Sequence, residues 1–429
     1  MDGEWTMWGL RPSDWRMLPW HAFAASASTR LVGAPGVDAK QVTVRVRHQG
    51  VVERRLSANR QRQILSPNQS RASAGQFIIS KIDARNGACG FVPVELDGAI
   101  VTSDFPLYEI RPPVHARYLD HLTALPTFWR LCESVSDGTT NRVRLNPEQF
   151  ERLPIPVPPW DEQVGIVHTL DSIDAAIEKT EAVIAATGAL RKALLQELLT
   201  RGVPGWHSEW KTVPGIGTIP ACWEVVKLGE VAVVQTGRQV GKPPSRGTPV
   251  TVPYLSVANV KAGYLHLDAV KTMTVGAEEV ERFRLKAGDV LFNEGGDADK
   301  VGRGCVWSGD IDPCLHQNHV FAVRPCPSKL TPWFLTTYAS SRAGKDYFLG
   351  CAKQTTNLAS INSTQLKALP IPMPGIAEQG EIQAPIHAVD SRLQNERRVM
   401  THLRAIKRET ASALLSGRVR VVAKAEESR

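Results

Sequence analysis

The sequence predicts an α+β protein in which two α/β domains, related by a pseudo-twofold internal repeat, are separated by two long helices paired as an antiparallel coiled coil. Three observations predict it. A block of 25 residues returns half a chain later, a heptad seam follows each copy, and the two helices that carry the seams have opposite net charge.

The block runs from Thr139 to Gln163 and returns without a gap from Thr355 to Gln379, an offset of 216 in a chain of 429 residues. Twelve of its 25 positions are identical, among them the Thr-Thr-Asn trios at 139–141 and 355–357, Asn146/Asn362, the Leu-Pro-Ile-Pro runs from Leu153 and Leu369, and Glu162-Gln163/Glu378-Gln379. Average residue usage would match about one or two by chance. The repeat extends upstream, where Ala74–Ile79 resembles Ala287–Phe292 and Leu107–Pro112 resembles Val320–Pro325, both at offset 213. Each of these reads as a short, mostly buried strand after a turn, and the Gly-rich loops between them differ freely. Residues 1–40 show no counterpart in the second half.

After each Pro-rich run, which stiffens the chain into extended form, the pattern becomes helical. From about Asp161 to Thr200, apolar residues recur at heptad positions such as Ile166, Leu170, Ile173, Leu194 and Leu198. Adding 216 gives Ile382, Ile386, Val389, Thr410 and Leu414, and seven of ten seam positions are apolar in each helix. This is the narrow stripe of a coiled coil. Forty residues at 1.5 Å each would span about 60 Å. Pro385 predicts a kink or a late start for the second helix. Residues 161–201 carry four bases and seven acids, residues 381–420 eight and four, so the helices are expected to pair with each other. The expected organisation is a first domain over 1–152, a Pro-rich entry and spacer helix over 153–205, a linker and second domain over 206–368, and a second entry, helix and tail over 369–429.

A composition of 42% hydrophobic and 22% charged residues suits globular domains and argues against a disordered or fibrous chain. No apolar run approaches the roughly 20 residues of a membrane helix, and the start Met1-Asp2-Gly3-Glu4-Trp5 lacks the pattern of a secretory signal. Seven cysteines, odd in number and without a C-x-x-C pair, read as reduced thiols of a cytoplasmic protein. The net charge of +8 is uneven: Val42 to Arg71 holds seven arginines against one acid, Glu53. Alternation over Val42–Arg47 predicts a half-buried strand with a cationic outer face, suited to a phosphate backbone. A merely solvated surface is the plainer reading.

The doubled T-T-N…L-P-I-P-x-P…E-Q block with its long helices resembles the specificity subunits of type I restriction-modification systems. Trp223–Glu230 at the opening of the second unit and Lys81–Gly87 in the first fit as well. The resemblance covers about Val42 to Arg418. It implies two target-recognition domains, each reading one half of a split DNA sequence, with the two helices as a ruler between the halves. It also implies a chain that is not itself a catalyst and binds no cofactor. Its partners would be double-stranded DNA, two modification subunits and, through them, restriction subunits, with S-adenosylmethionine, ATP and Mg on those partners. Because the two domains differ outside the shared blocks, an asymmetric target is expected.

The sequence carries none of the catalytic motifs that would give the chain chemistry of its own. None of Arg111–Val114, Val157–Trp160 and Lys242–Ser245, which hold the Pro-Pro pairs, fits the D/N-P-P-Y/F motif of adenine methyltransferases, and no P-loop is present. His316-x-x-His319 offers two metal ligands without a third nearby, so no metal site is expected. Base edges are read mainly by Arg, Lys, Asn and Gln. In the first domain the candidates are Lys81, Arg85, Asn86 and Arg142. In the second they are Arg238, Gln239, Asn293, Lys300 and Arg303. Arg45, Arg47, Arg54 and Arg55 look like phosphate contacts, which position without specifying. Two alternatives remain: a coiled-coil scaffold that reads no DNA, and a methyltransferase or nuclease with an unrecognised motif.

Overall fold

A computed structural model describes residues 3–6, 8–30, 40–54, 69–138, 143–244, 247–296, 301–351, 353–354 and 359–421. The chain forms two compact units, one of Met1–Ala182 with Arg398–Arg429, the other of Val183–Arg397. Both boundaries fall inside the long helices, so each unit contains part of each helix. The Thr-Thr-Asn trios lie outside the described residues.

In the first unit a four-stranded sheet has the order Cys89–Phe91, Phe77–Ile79, Leu107–Ile110, Ala24–Ser26. Its core gathers on Trp20, fully buried, whose ring centroid lies 4.7–6.2 Å from those of Phe150, Phe77, Phe23, Tyr108 and Phe128. Tilted and edge-on aromatic packing of this kind adds to the area buried. The Pro-rich strand Pro154–Val157 pairs antiparallel with Arg16–Pro19. Pro154 faces Pro19 and neither has an N–H, so ladder bonds must fall on the alternate pairs, as at Ile155 and Leu18.

The second unit repeats the frame. Its sheet runs Gly304–Val306, Val290–Asn293, Val320–Pro325, Ala232–Thr236, the same order of equivalents. Pro370–Met373 pairs with Glu224–Lys227 as Pro154–Val157 pairs with Arg16–Pro19. This corrects the expectation that residues 1–40 have no counterpart: at offset 208, Pro12, Trp15 and Ala24 match Pro220, Trp223 and Ala232. Substitution at the strand itself, Met17-Leu18 against Val225-Val226, hid the match. The register also departs from the sequence alignment. Tyr108 lies opposite Phe77, whereas Phe321 lies opposite Phe292 rather than Val290, a shift of two residues. A two-residue shift keeps every side chain on its own face, so alternation is blind to it.

Where each long helix begins, two adjacent side chains tie it to its domain. Gln163, fully buried, accepts from the His115 N–H (2.8 Å) and donates to the carbonyls of Pro113 (2.9 Å) and Pro158 (3.0 Å). Gln379 does the same with Thr331 N–H (2.8 Å), Lys329 (2.8 Å) and Pro374 (3.0 Å). The preceding carboxylates, Glu162 and Glu378, each accept an indole N–H at 3.0 Å, from Trp15 and Trp223. Asn146 and Asn362 cap the short helices Pro147–Glu151 and Ser363–Lys367 ahead of the Pro-rich strands. Three of the identical pairs in the block, Asn146/Asn362, Glu162/Glu378 and Gln163/Gln379, make equivalent hydrogen bonds in the two units.

Within each unit the helices run antiparallel. In the first, Ile166 and Leu170 share a core with Ala411, Leu414 and Leu415, Lys407 pairs with Asp174 (2.5 Å), and Arg404 pairs with Glu181 (2.9 Å). In the second, Leu198 and Leu199 pack with Ile382 and Ile386, and Arg191 pairs with Asp390. The helices span Trp160–Arg201 and Ile376–Leu415, with Pro385 inside the second, so the late start expected from that proline does not occur.

Replacing Gln163 by leucine should strand one N–H and two carbonyls in the interior. Each orphaned group costs about 1–3 kcal/mol, so the first unit should lose several kcal/mol. Urea denaturation of wild type and Gln163→Leu reads the difference, and an unchanged midpoint would refute the role.

Candidate DNA interface

The structure brings most of the first domain's described candidates to one place. The expected strand over Val42–Arg47 is shorter, Val42–Val44, paired with Val51–Glu53. Arg45 and Arg47 therefore stand on the tip of a hairpin, not on a strand face, because the backbone turns after Val44. The tip leans on the Lys81–Gly87 turn through Arg47 N–H to Asn86 O (2.6 Å) and His48 N–H to Gly87 O (2.8 Å). That turn is held in place by Lys81 N–H to Asp104 O and Leu145 N–H to Lys81 O, both 2.8 Å. Arg45, Arg47, Arg54 and Asn86 are exposed, and Lys81 and Arg85 are half-buried. Among the described residues none of these five cations has an ion-pair partner. Arg55 and Arg142 lie outside the described residues.

The second domain overturns two candidates. Arg238 is 3% exposed; it pairs with Glu279 (2.9 Å) and donates to the carbonyls of Gln239, Lys242 and Pro243. Asn293, also 3% exposed, donates to Val260 O (3.1 Å). Both side chains are buried and bonded to the protein's own backbone instead of standing in solvent. Gln239 is exposed and Arg303 half-buried; Lys300 lies outside the described residues. What Asn293 supports is a hairpin that sequence reasoning missed: Val260 bridges Leu265, Lys261 N–H meets Tyr264 O, and Gly263 N–H meets Gly304 O. Asn259, buried, braces its base through Ser256, His266 and Ala269. Tyr264 stands 60% exposed at the tip. The available signal was Gly263 between Val260 and Leu265, since Gly263 takes a left-handed φ of 82° there.

Titratable groups elsewhere serve the fold. His121, Asp171 and Asp174 come close enough for a metal ion, but Arg117 holds Asp171 (2.6 Å) and Lys407 holds Asp174. Burial pushes the His121 imidazole below its ordinary value, against the pull of Asp171. His316 and His319 face different surroundings. His316 is fully buried with Nδ1 on Val320 O (2.7 Å), whereas His319 is 59% exposed beside Glu294. Burial lowers His316 to about 4.

Comparison with known proteins follows from this geometry. A family model described as the type I restriction modification DNA specificity domain matches residues 71–185 and 220–401. The EcoKI specificity subunit of Escherichia coli K12 is 24% identical over 275 residues, 63% of this chain and 57% of that protein. The MjaVIII specificity subunit of Methanocaldococcus jannaschii is 25% identical over 278 residues, 63% of each. The chain thus aligns with less than two thirds of the length of these relatives. Among solved structures, it resembles the type I restriction-modification S subunit from M. genitalium (12% identity, TM-score 0.52, 93% of this chain and 96% of that one). It also resembles a chain solved in a study of type I complex assembly and conformational transition (18% identity, TM-score 0.56, 95% and 99%). These last two likenesses concern the fold. No helix among the described residues is long and apolar enough to cross a membrane.

Two outcomes follow from the buried groups. Arg238→Met breaks the buried ion pair with Glu279 and removes the donor to three carbonyls; breaking a buried pair costs about 3–5 kcal/mol, so the melting temperature should fall. His316 stays neutral in the folded protein down to about 4 while an unfolded histidine takes its proton near 6.5. The unfolded state binds more protons across that window, so stability should fall by about 3 kcal/mol as pH drops from 6.5 to 4. Denaturation at several pH values should show this acid loss in wild type and a smaller one in His316→Gln.

Proposed function

The chain belongs to the type I restriction-modification DNA specificity family, and on that premise we propose that it is the DNA sequence-recognition subunit of such a complex. Each recognition domain reads one half of a bipartite, asymmetric target. The observation that carries this is one frame built twice, down to the Gln163/Gln379 and Trp15/Trp223 hydrogen bonds, with unlike projecting loops. A rigid frame with variable tips is how a recognition module changes what it reads while keeping its assembly.

Arg45 and Arg54 supply part of the sequence-independent binding, by displacing counterions from phosphates. Catalysis belongs to partners: two modification subunits that methylate adenine with S-adenosylmethionine, and restriction subunits that use ATP and Mg. The present chain holds those partners on DNA in the cytoplasm and binds no cofactor. Its own contribution is to choose the site.

Sequencing the methylome of cells carrying this chain with its modification subunit, against cells lacking only this chain, tests the reading. A split motif of methylated adenines should vanish with the chain. An unchanged methylome with both subunits soluble and associated would defeat the DNA-reading role and leave that of a scaffold. Arg54, at the end of the hairpin with its side chain in solvent, should act as a phosphate contact. Arg54→Ala should weaken binding to all sequences alike and flatten the plot of log affinity against log salt by about 1, without changing the motif.

A further inference from the structure

The hairpin that carries Arg47 is built at a cost that its own folding does not explain. Its two strands end at Val44 and Val51, and Arg45 N–H still reaches Gly50 O at 3.0 Å. The turn that closes it places Arg47 at φ 56° and His48 at φ 53°, with Gln49 N–H toward Val46 O at 3.4 Å. Two successive left-handed residues are the φ pattern of a type I′ turn, in which Asn-Gly or Asp-Gly is the ordinary choice because other L-residues crowd their own carbonyl.

His48 accounts for its own place. It is largely buried, with Nε2 3.2 Å from Asp120 and 3.3 Å from the Thr123 hydroxyl, so it pins the tip to the domain. Arg47 has no such explanation. Its backbone N–H is bonded to Asn86 O, which any residue, glycine included, could do. Its side chain is exposed and lacks an ion-pair partner among the described residues. A strained position kept for a bulky, unpaired side chain points to what that side chain meets outside the protein.

Resting on the reading of this chain as a DNA recognition subunit, we infer that Arg47 is a base-reading residue of the first domain, directed at guanine. A two-stranded ribbon fits the DNA major groove, about 12 Å wide, and a guanidinium matches the O6 and N7 acceptors of guanine with two parallel bonds. Val46, its neighbour in sequence, is 40% exposed and Ile82, on the adjoining turn, is 45% exposed, apolar surface of the kind that meets thymine methyl groups. The role differs from that of a phosphate contact, which Arg54 illustrates.

The strain supplies a clean test. Arg47→Gly removes the side chain and also the cost of the left-handed backbone, so the variant should resist denaturant at least as well as wild type. Selection of bound duplexes from random-sequence DNA by the full chain should return a split motif. With Arg47→Gly one guanine of one half-site should lose its preference, and the ratio of specific to non-specific affinity should fall about 10- to 100-fold. Arg47→Lys, which keeps the charge but not the planar fork, should weaken the preference for the same guanine. Three results overturn the inference: an unchanged motif, an equal loss of affinity for all sequences, or a variant clearly less stable than wild type. If wild type itself selects no motif, the DNA-reading role fails and this inference with it.

Discussion

Each domain hangs on one buried carboxamide at the start of its long helix. Gln163 and Gln379 bridge three backbone groups apiece, and those groups come from the helix entry and from the loop that follows the sheet. One side chain thus joins helix, Pro-rich strand and sheet. A carboxamide suits the task because it offers donors and an acceptor without charge, and a buried charge in its place would need a partner. The orientation of each sheet on its helix, and hence the direction in which its loops project, follows from these bonds.

The neighbouring carboxylates show how one frame tolerates different completion. Glu378 is held by Trp223, His207 (2.5 Å) and the Val203 N–H, all supplied by the segment after the first helix. Glu162 is held by Trp15 and by Arg420, which also grips Asp14 and holds that carboxyl below its usual range. Arg420 comes from the tail beyond the second helix. Gly202 and Gly417, both at φ 72°, make the turns that bring these segments back. Arg11 completes the first unit: it lies between the Trp8 and Trp15 rings and donates to Leu415 O, with burial lowering it to about 10. The first unit is therefore finished by residues from both ends of the described chain.

Above this frame the domains diverge. The first projects a short hairpin whose cations lack ion-pair partners among the described residues; the second projects the braced Val260–Leu265 hairpin with Tyr264 at its tip. Polar residues expected to read DNA divide accordingly. Asn86 and Gln239 reach solvent, whereas Arg238 and Asn293 hold the backbone from within. A long polar side chain beside a strand serves either purpose, and its residue type does not say which.

The sequence by itself determined the doubling, the long paired helices and the doubled Glu-Gln pair on which each frame hangs, but not its Trp15/Trp223 partners. These rest on identities at one offset, on a heptad period and on the sign of charge, and each is a property of residues in order along the chain. Acids at Asp174 and Glu181 meet bases at Lys407 and Arg404, in keeping with the opposite net charge of the two helices. Tertiary structure alone decided three things: the two-residue register difference between the sheets, the left-handed turn at Arg47 and His48, and the burial of Arg238 and Asn293. The reason is the same in each. Alternation records which face a side chain takes, but not its partner, and composition records a charge, but not whether water or a carbonyl lies beside it. Those are fixed only when distant segments come together.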